Sequence, residues 1–296
     1  DGGAFVLVYL LCIAAVGLPI MMAELIIGRK TQKSAVPAFK EAIGPAWGVV
    51  GLWGVLCGFI LLSYYTVIAG WSLFYFWKSV QWSLGGFTAA GAMGDVFGQQ
   101  VSKIGLQLGL SLSFSIATVG VVYFGIQKGI ERVARIFLPI LFGILLLLLV
   151  SALGMDGSGE ALSFLFRPNF AELEPSSVLE ALGHAFFTLS LGMGAMITYG
   201  SYLAKDQSIV KAAGWIVLLD TAIAIVASII MFSVIFSFDF DVQKSSTILF
   251  TTLPAVFFQL PGGSVVTGLF YLLVAFAALT STISLLEVVS SFAIDE

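Results

Sequence analysis

The chain has 296 residues, 59% of them hydrophobic and 10% charged, against about 45–50% and about 25% in soluble domains. A soluble core has no use for so much apolar surface, and at about 20 residues per crossing the length holds about seven to ten transmembrane helices with their loops. The formal net charge of −4 comes from separated acids, so there is no basic face to follow a phosphate backbone and nucleic-acid binding is excluded.

Cys12 and Cys57 both sit in apolar runs and read as small core hydrophobes, because neither has a partner at ligand spacing and the only histidine is His184. A disulfide scaffold is excluded with them. Asp1-Gly2-Gly3 leads straight into apolar sequence without a basic region, so the given sequence is not expected to open on a cleavable signal peptide. The expectation is a chain that begins partway through a larger protein.

Seven apolar segments are long enough to cross about 30 Å of hydrocarbon: 4–27, 47–77, 106–126, 133–153, 178–203, 211–237 and 265–292. They are expected to form a single all-α, polytopic transmembrane domain over 1–296. Glycine, proline or charge separates the segments, and the glycines inside them suit close helix approach in lipid. Strands are not expected, since a barrel would alternate apolar and polar residues, whereas Ile144 to Leu149 is apolar on every face.

An odd number of crossings puts the ends on opposite sides, and the basic residues choose between them. Arg29, Lys30, Lys33, Lys40, Lys128, Arg132, Arg135, Lys205 and Lys211 fall in one set of loops; the alternate set holds only Lys78, Lys103, Arg167 and Lys244. The Asp1 end is therefore expected outside and the Glu296 end in the cytoplasm. The connection 238–264, with Pro254 and Pro261-Gly262-Gly263, is then external and long enough to fold as a lid.

Information about function lies where the rules of lipid are broken. Ser190-Leu191-Gly192-Met193-Gly194 stands in the middle of 178–203. Each glycine weakens a helix by about 1 kcal/mol, and unwound backbone at membrane depth is tolerated only inside protein or along a watery cavity. Two glycines that merely admit a neighbouring helix are the plainer alternative.

Glu24, His184, Asp220 and Glu287 are ionisable groups within spans, where an acid costs about 2.5–3.5 kcal/mol on insertion scales and normally marks an ion or substrate path. Glu24 and Glu287 lie near enough to their helix ends to reach the interface or brace a helix. His184 reads first as a core histidine. Asp220 is the strongest candidate, deep in its span with no basic residue within a turn. Thr280-Ser281-Thr282 places three hydroxyls in the last span, which either bond their own backbone or join carbonyls as hard oxygen ligands for an alkali cation. In Ser63-Tyr64-Tyr65-Thr66 a phenol could bond a carboxylate, although core packing is the commoner role.

Phe186 to Gly194 followed by Ile197-Thr198-Tyr199 resembles the broken sixth helix of the neurotransmitter:sodium symporter family. Asp1-Gly2-Gly3-Ala4-Phe5, Gly17-Leu18-Pro19 with Glu24 and Gly28-Arg29, Tyr64-Tyr65, Lys128 to Arg132, and Leu279-Thr280-Ser281 agree in the same order. The resemblance covers essentially the whole chain. It implies an inverted-repeat transporter fold with binding at discontinuous helices, an architecture for which this family is itself the usual illustration. The seven spans would be the family's helices two to eight, leaving the chain incomplete at both ends. The absent first helix would supply much of the substrate cradle and ligands to both sodium ions.

Carried over residue by residue, the resemblance gives Tyr65 a hydrogen bond to the substrate carboxylate and makes Phe187 an aromatic lid. Backbone carbonyls around Thr188 and Ser190 would face the substrate ammonium. Met193, Leu61 and Leu285 would wall the side-chain pocket, with Ser281 at its border. One Na+ would draw on Thr188 and Asp220, the other on the Ala277 carbonyl, Thr280 and Ser281. Asp295 would be the inner gate acid near Tyr202.

The chain departs from the family's animal members where Asp220 replaces a usual asparagine, His184 a usual glutamine and Ala224 a serine. A fixed anion at Asp220 would stand in for bound chloride, since two cations and a zwitterion at low dielectric favour a nearby negative charge. The expected function is sodium-coupled symport of hydrophobic or aromatic L-amino acids by alternating access, in the inner (plasma) membrane. A channel would need polar residues from face to face, and here they cluster at mid-depth. A structural membrane subunit is the plain alternative. No nucleophile or metal-ligand motif supports an enzyme.

Overall fold

The computed structural model describes residues 2–86, 93–125, 130–238, 248–251, 253–257 and 262–295. The lid expected at 238–264 falls largely outside these residues, as do Lys128, Lys244 and the terminal residues Asp1 and Glu296. Among the described residues no strand forms; there is one isolated bridge, Gly2 to Pro168.

Helices α1 (Gly2–Thr31), α2 (Ala35–Ala42) and α3 (Gly48–Gly85) open the chain. They are followed by α4 (Met93–Ser102), α5 (Ile104–Tyr123), α6 (Glu131–Leu153) and α7 (Ser158–Phe166). The broken segment forms α8 (Pro175–Thr188) and α9 (Ala195–Tyr202). Last come α10 (Ile209–Ser237) and α11 (Gly263–Asp295), with two short turns, Ile248–Thr251 and Leu253–Phe257, between them.

Among the described residues six helices are long and apolar enough to cross a membrane: α1, α3 with the turn before it, α5, α6, α10 and α11. The expected span 178–203 is divided between α8 and α9, each too short to cross alone. The sequence reading did not foresee α2, α4 or α7, nor the π-helical turn Ile13–Gly17 inside α1.

The helices group into two compact units. The first comprises Asp1–Leu61, Glu160–Ser228 and Ser284–Glu296; the second comprises Leu62–Gly159 and Ile229–Ile283. In the first, Met21 and Leu25 of α1 pack with Ala181 and Ala185 of α8, Leu189 and Leu191 after it, and Ile209 and Ala213 of α10. The contact between α1 and α9 is backbone on backbone. A Cβ on Gly28 would overlap the Ile197 carbonyl, and one on Gly200 would come 2.7 Å from the Leu25 carbonyl oxygen. Small residues at such crossings are how helices gain packing energy in lipid.

In the second unit Ala69, Phe114 and Ala278 form a core, and an aromatic cluster of Trp71, Tyr75, Phe97, Phe250 and Tyr271 lies in the same unit. Hydroxyl pairs stitch its helices. Ser111 donates to Thr66 at 3.1 Å, and the buried Thr118 and Thr282 hydroxyls are 2.9 Å apart.

The cysteines share no common fate. Cys12 packs at the edge of the first unit's core, whereas Cys57 is exposed on α3. That corrects the expectation of two core positions: on a membrane helix the outward face also selects small apolar side chains, so an apolar run does not distinguish core from lipid.

Candidate functional site

The break between α8 and α9 is built by backbone geometry that the sequence encodes locally. Ser190 adopts a left-handed conformation with φ of 54°, and Gly192 and Gly194 follow at 75° and 79°. The Ser190 N–H donates to the Phe187 carbonyl and the Leu191 N–H to the Phe186 carbonyl, the paired bonds of a Schellman motif with Ser190 at the position usually held by glycine. A left-handed serine costs about 1–2 kcal/mol. The carbonyl of Thr188, the last residue of α8, lies outside that capping pair.

The unwound stretch is held from two sides. Glu24 on α1 accepts the Gly192 N–H at Oε1, 2.8 Å away, satisfying a donor that helix would otherwise have used. On α3, Gly54 lies so near that a Cβ there would be 3.3 Å from the Gly192 oxygen and the Gly194 nitrogen, and one on Gly58 would be 3.5 Å from the Met193 oxygen. Glu24, Gly54 and Gly58 are therefore the positioning residues that sequence reasoning missed or left as bland. The signal was a carboxylate inside a span facing a stretch with unpaired backbone donors.

At the end of α8, Thr188 is the centre of a polar group. Its hydroxyl is 3.2 Å from the Tyr9 hydroxyl and faces the Asp220 carboxylate of α10. The His184 ring meets Tyr9 edge-on at 5.0 Å between centroids. His184 is exposed and not a core histidine, a further correction: one turn before Thr188, it lies on the outer side of α8. Asp220 Oδ2 is buried and has no hydrogen-bond partner among the described residues, so the carboxylate keeps an oxygen available for a cation.

Met193 and Leu285 are both buried, at 6% and 7% exposure, and flank Gly58. Leu61 is half-buried, while Phe187 remains 50% exposed. The remaining candidates belong to the second unit. Tyr65 packs against the Ala69, Phe114 and Ala278 core beside Leu279. Ala277, Thr280 and Ser281 share the accessible side of α11, with the Thr280 hydroxyl on the Ala277 carbonyl at 2.9 Å. Thr282 points the other way, fully buried against Thr118, so the helix is pinned in rotation with its two other hydroxyls outward.

At the opposite end of α9, Tyr202 donates to Glu287 Oε1 at 2.5 Å and Tyr199 donates to Ser284 at 2.7 Å. These are matched rungs, i and i+3 on each helix. Asp295 lies within electrostatic reach of Tyr202, but its carboxylate accepts the Ser34 N–H at 2.6 Å. The direct partner of Tyr202 is thus Glu287, which braces the helix.

A family model described as the sodium:neurotransmitter symporter family matches residues 1–91 and 94–296. The chain belongs to this family. It is 43% identical over 289 residues to the uncharacterized sodium-dependent transporter YhdH of Bacillus subtilis (strain 168), covering 97% of this chain and 64% of that protein. An uncharacterized sodium-dependent transporter of Haemophilus influenzae is 30% identical over 305 residues, 97% of this chain and 65% of its own length. The crystal structure of MhsT in complex with L-phenylalanine matches with a TM-score of 0.91 at 42% identity, over 99% of this chain and 67% of that one. The chain thus spans about two thirds of the length of these relatives.

Symporter membership accounts for the all-α polytopic fold and the broken helix, and it is a family of transporters rather than enzymes. The donor groups fit its ion. A carboxylate, hydroxyls and a carbonyl are hard oxygens of the kind that hard cations take, and among the described residues no group of three His, Cys, Asp or Glu is arranged for a transition metal.

Proposed function

We propose that the protein of which this chain is part couples inward sodium movement to uptake of a hydrophobic or aromatic L-amino acid by alternating access, without chloride. The observation that carries the reading is the half-buried Asp220 carboxylate beside Thr188 at the helix break, with its buried Oδ2 unpartnered among the described residues. A sodium ion drawing on Thr188 and Asp220 neutralises that charge, and the fixed anion takes the place that chloride would otherwise fill. The second sodium draws on the Ala277 carbonyl, Thr280 and Ser281.

The amino acid's ammonium lies against the carbonyls around Thr188 and Ser190, where the negative end of α8 favours a cation. Leu61, Met193 and Leu285 wall the side-chain pocket and Phe187 closes over it. For Tyr65 and Ser281 the roles rest on the family resemblance alone, which gives Tyr65 a hydrogen bond to the substrate carboxylate. Both sodium ions also need ligands from the family's first helix. MhsT was crystallised with L-phenylalanine, and the unbranched, polarizable Met193 suits a pocket that adapts to several large apolar side chains.

The gate at the other end comprises Tyr202 with Glu287 and, nearby, Asp295. The bias of basic residues supports a plasma-membrane orientation with the Asp1 end outside and the Glu296 end in the cytoplasm. Competition against labelled tryptophan on the full-length protein tests the substrate class. Tryptophan, tyrosine, phenylalanine and leucine should compete, and glycine or glutamate outcompeting leucine would refute the proposal.

A further inference from the structure

We infer that the end of the first unit carrying Lys30, Lys205 and Lys211 binds the headgroup of an anionic phospholipid, in the groove where α1 meets α10. This goes beyond symport and does not depend on it. On α1, Pro19, Ala23, Ile26 and Lys30 are all exposed and spaced 4, 3 and 4 residues apart, so they form one stripe along the helix. On α10, Lys211, Trp215, Leu218 and Ala222 are exposed with the same spacing. Each helix therefore presents an outward face that is apolar along its length and ends in an ammonium group.

Two contacts bring those ends together. Met21 and Leu25 of α1 share a buried cluster with Ile209 and Ala213 of α10. Beyond it, Arg29 Nη1 donates to the Gln207 carbonyl at 2.6 Å, holding the loop that enters α10 against the end of α1. Lys205 lies exposed in that loop.

Among the described residues none of the three lysine side chains has a hydrogen bond or ion pair. The nearby acid Glu41 is engaged by Lys33 at 2.9 Å, and Asp206 alone offsets the cluster within its loop. Trp215, 62% exposed and one turn beyond Lys211, occupies the level where an indole favours the headgroup boundary. The occupant that satisfies every part of the surface has a phosphate for the lysines and acyl chains for the stripes. A basic pocket between helices is how membrane proteins select such lipids, with each lysine strengthening association about five-fold.

The test is lipid retention by the full-length transporter, measured by native mass spectrometry after extraction from bilayers of equal phosphatidylglycerol and phosphatidylcholine. Wild type should keep phosphatidylglycerol preferentially. Combined Lys30→Gln, Lys205→Gln and Lys211→Gln should remove the preference, falling about five-fold for each lysine lost, while the three arginine substitutions and Lys103→Gln should retain it. Inorganic phosphate should not compete. Equal retention of the two lipids by wild type, an undiminished preference in the glutamine variant, or displacement by inorganic phosphate would overturn the inference.

Discussion

The segment 175–202 and helix α11 meet the same demand, polar oxygens at membrane depth, in opposite ways. The first gives up helix over Leu189 to Gly194 and hands one of its backbone donors to Glu24. The second remains unbroken through Thr280, Ser281 and Thr282, with the Thr280 and Thr282 hydroxyls bonded back to Ala277 and Leu279. An unwound backbone offers carbonyls in fixed positions but needs outside support. A continuous helix supports itself and offers only what its side chains can spare.

The largest effect should come at Asp220. Asp220→Asn should lower sodium-driven uptake by the complete protein more than tenfold in chloride-free buffer, and adding Ala224→Ser should restore part of it when chloride is present. If Asp220 were instead a protonated structural acid, asparagine would be nearly isosteric, and uptake would survive without chloride.

Next is the contrast at α11. Thr280→Val with Ser281→Ala should weaken sodium binding by about 1–3 kcal/mol for each lost oxygen, while thermal stability stays near wild type because the helix needs neither hydroxyl. An unchanged sodium titration in a folded double variant would leave these hydroxyls with their own backbone. At the break the expected pattern is reversed: Glu24→Ala removes the acceptor of the Gly192 N–H and should cost about 0.5–1.5 kcal/mol of stability, with Glu24→Gln milder because it keeps an acceptor. Equal melting temperatures for all three proteins would show that the break needs no brace.

The smallest effect lies outside the membrane. Glu41 beside Lys33 raises that lysine above its ordinary value of 10.5. The pair's contribution is therefore whole below the unfolded lysine pKa, including neutral pH, and fades only as pH climbs through the raised value. Both side chains are about half exposed, so Glu41→Gln should shift the melting temperature little at neutral pH and remove the pair's part of any strongly alkaline loss. A large neutral-pH shift would mean that Glu41 does something more than pair with Lys33.

The all-α polytopic fold and the helix break were legible because hydrophobic runs and paired glycines each satisfy or violate a rule that operates within a few residues, and Asp220 stood out as a lone carboxylate on the same grounds. The division of 178–203 at Ser190 to Gly194 follows from that local chemistry. What was not legible depends on long-range partners. Glu24 and Glu287 looked alike in sequence, yet one caps an unwound strand and the other takes a tyrosine from α9. Gly54 and Gly58 looked like any membrane glycines until the Gly192 and Met193 backbone lay against them. The outward positions of Cys57 and His184 were not legible, because a membrane helix carries apolar residues on its outer face as well as on its core face.

Binding of labelled tryptophan to the full-length protein, titrated with sodium at constant ionic strength in gluconate buffer, tests the central claim most directly. The account predicts binding that rises with sodium, does not change when chloride is restored, and is lost in Asp220→Asn without chloride. Sodium-independent binding, or binding that appears only with chloride, would contradict it.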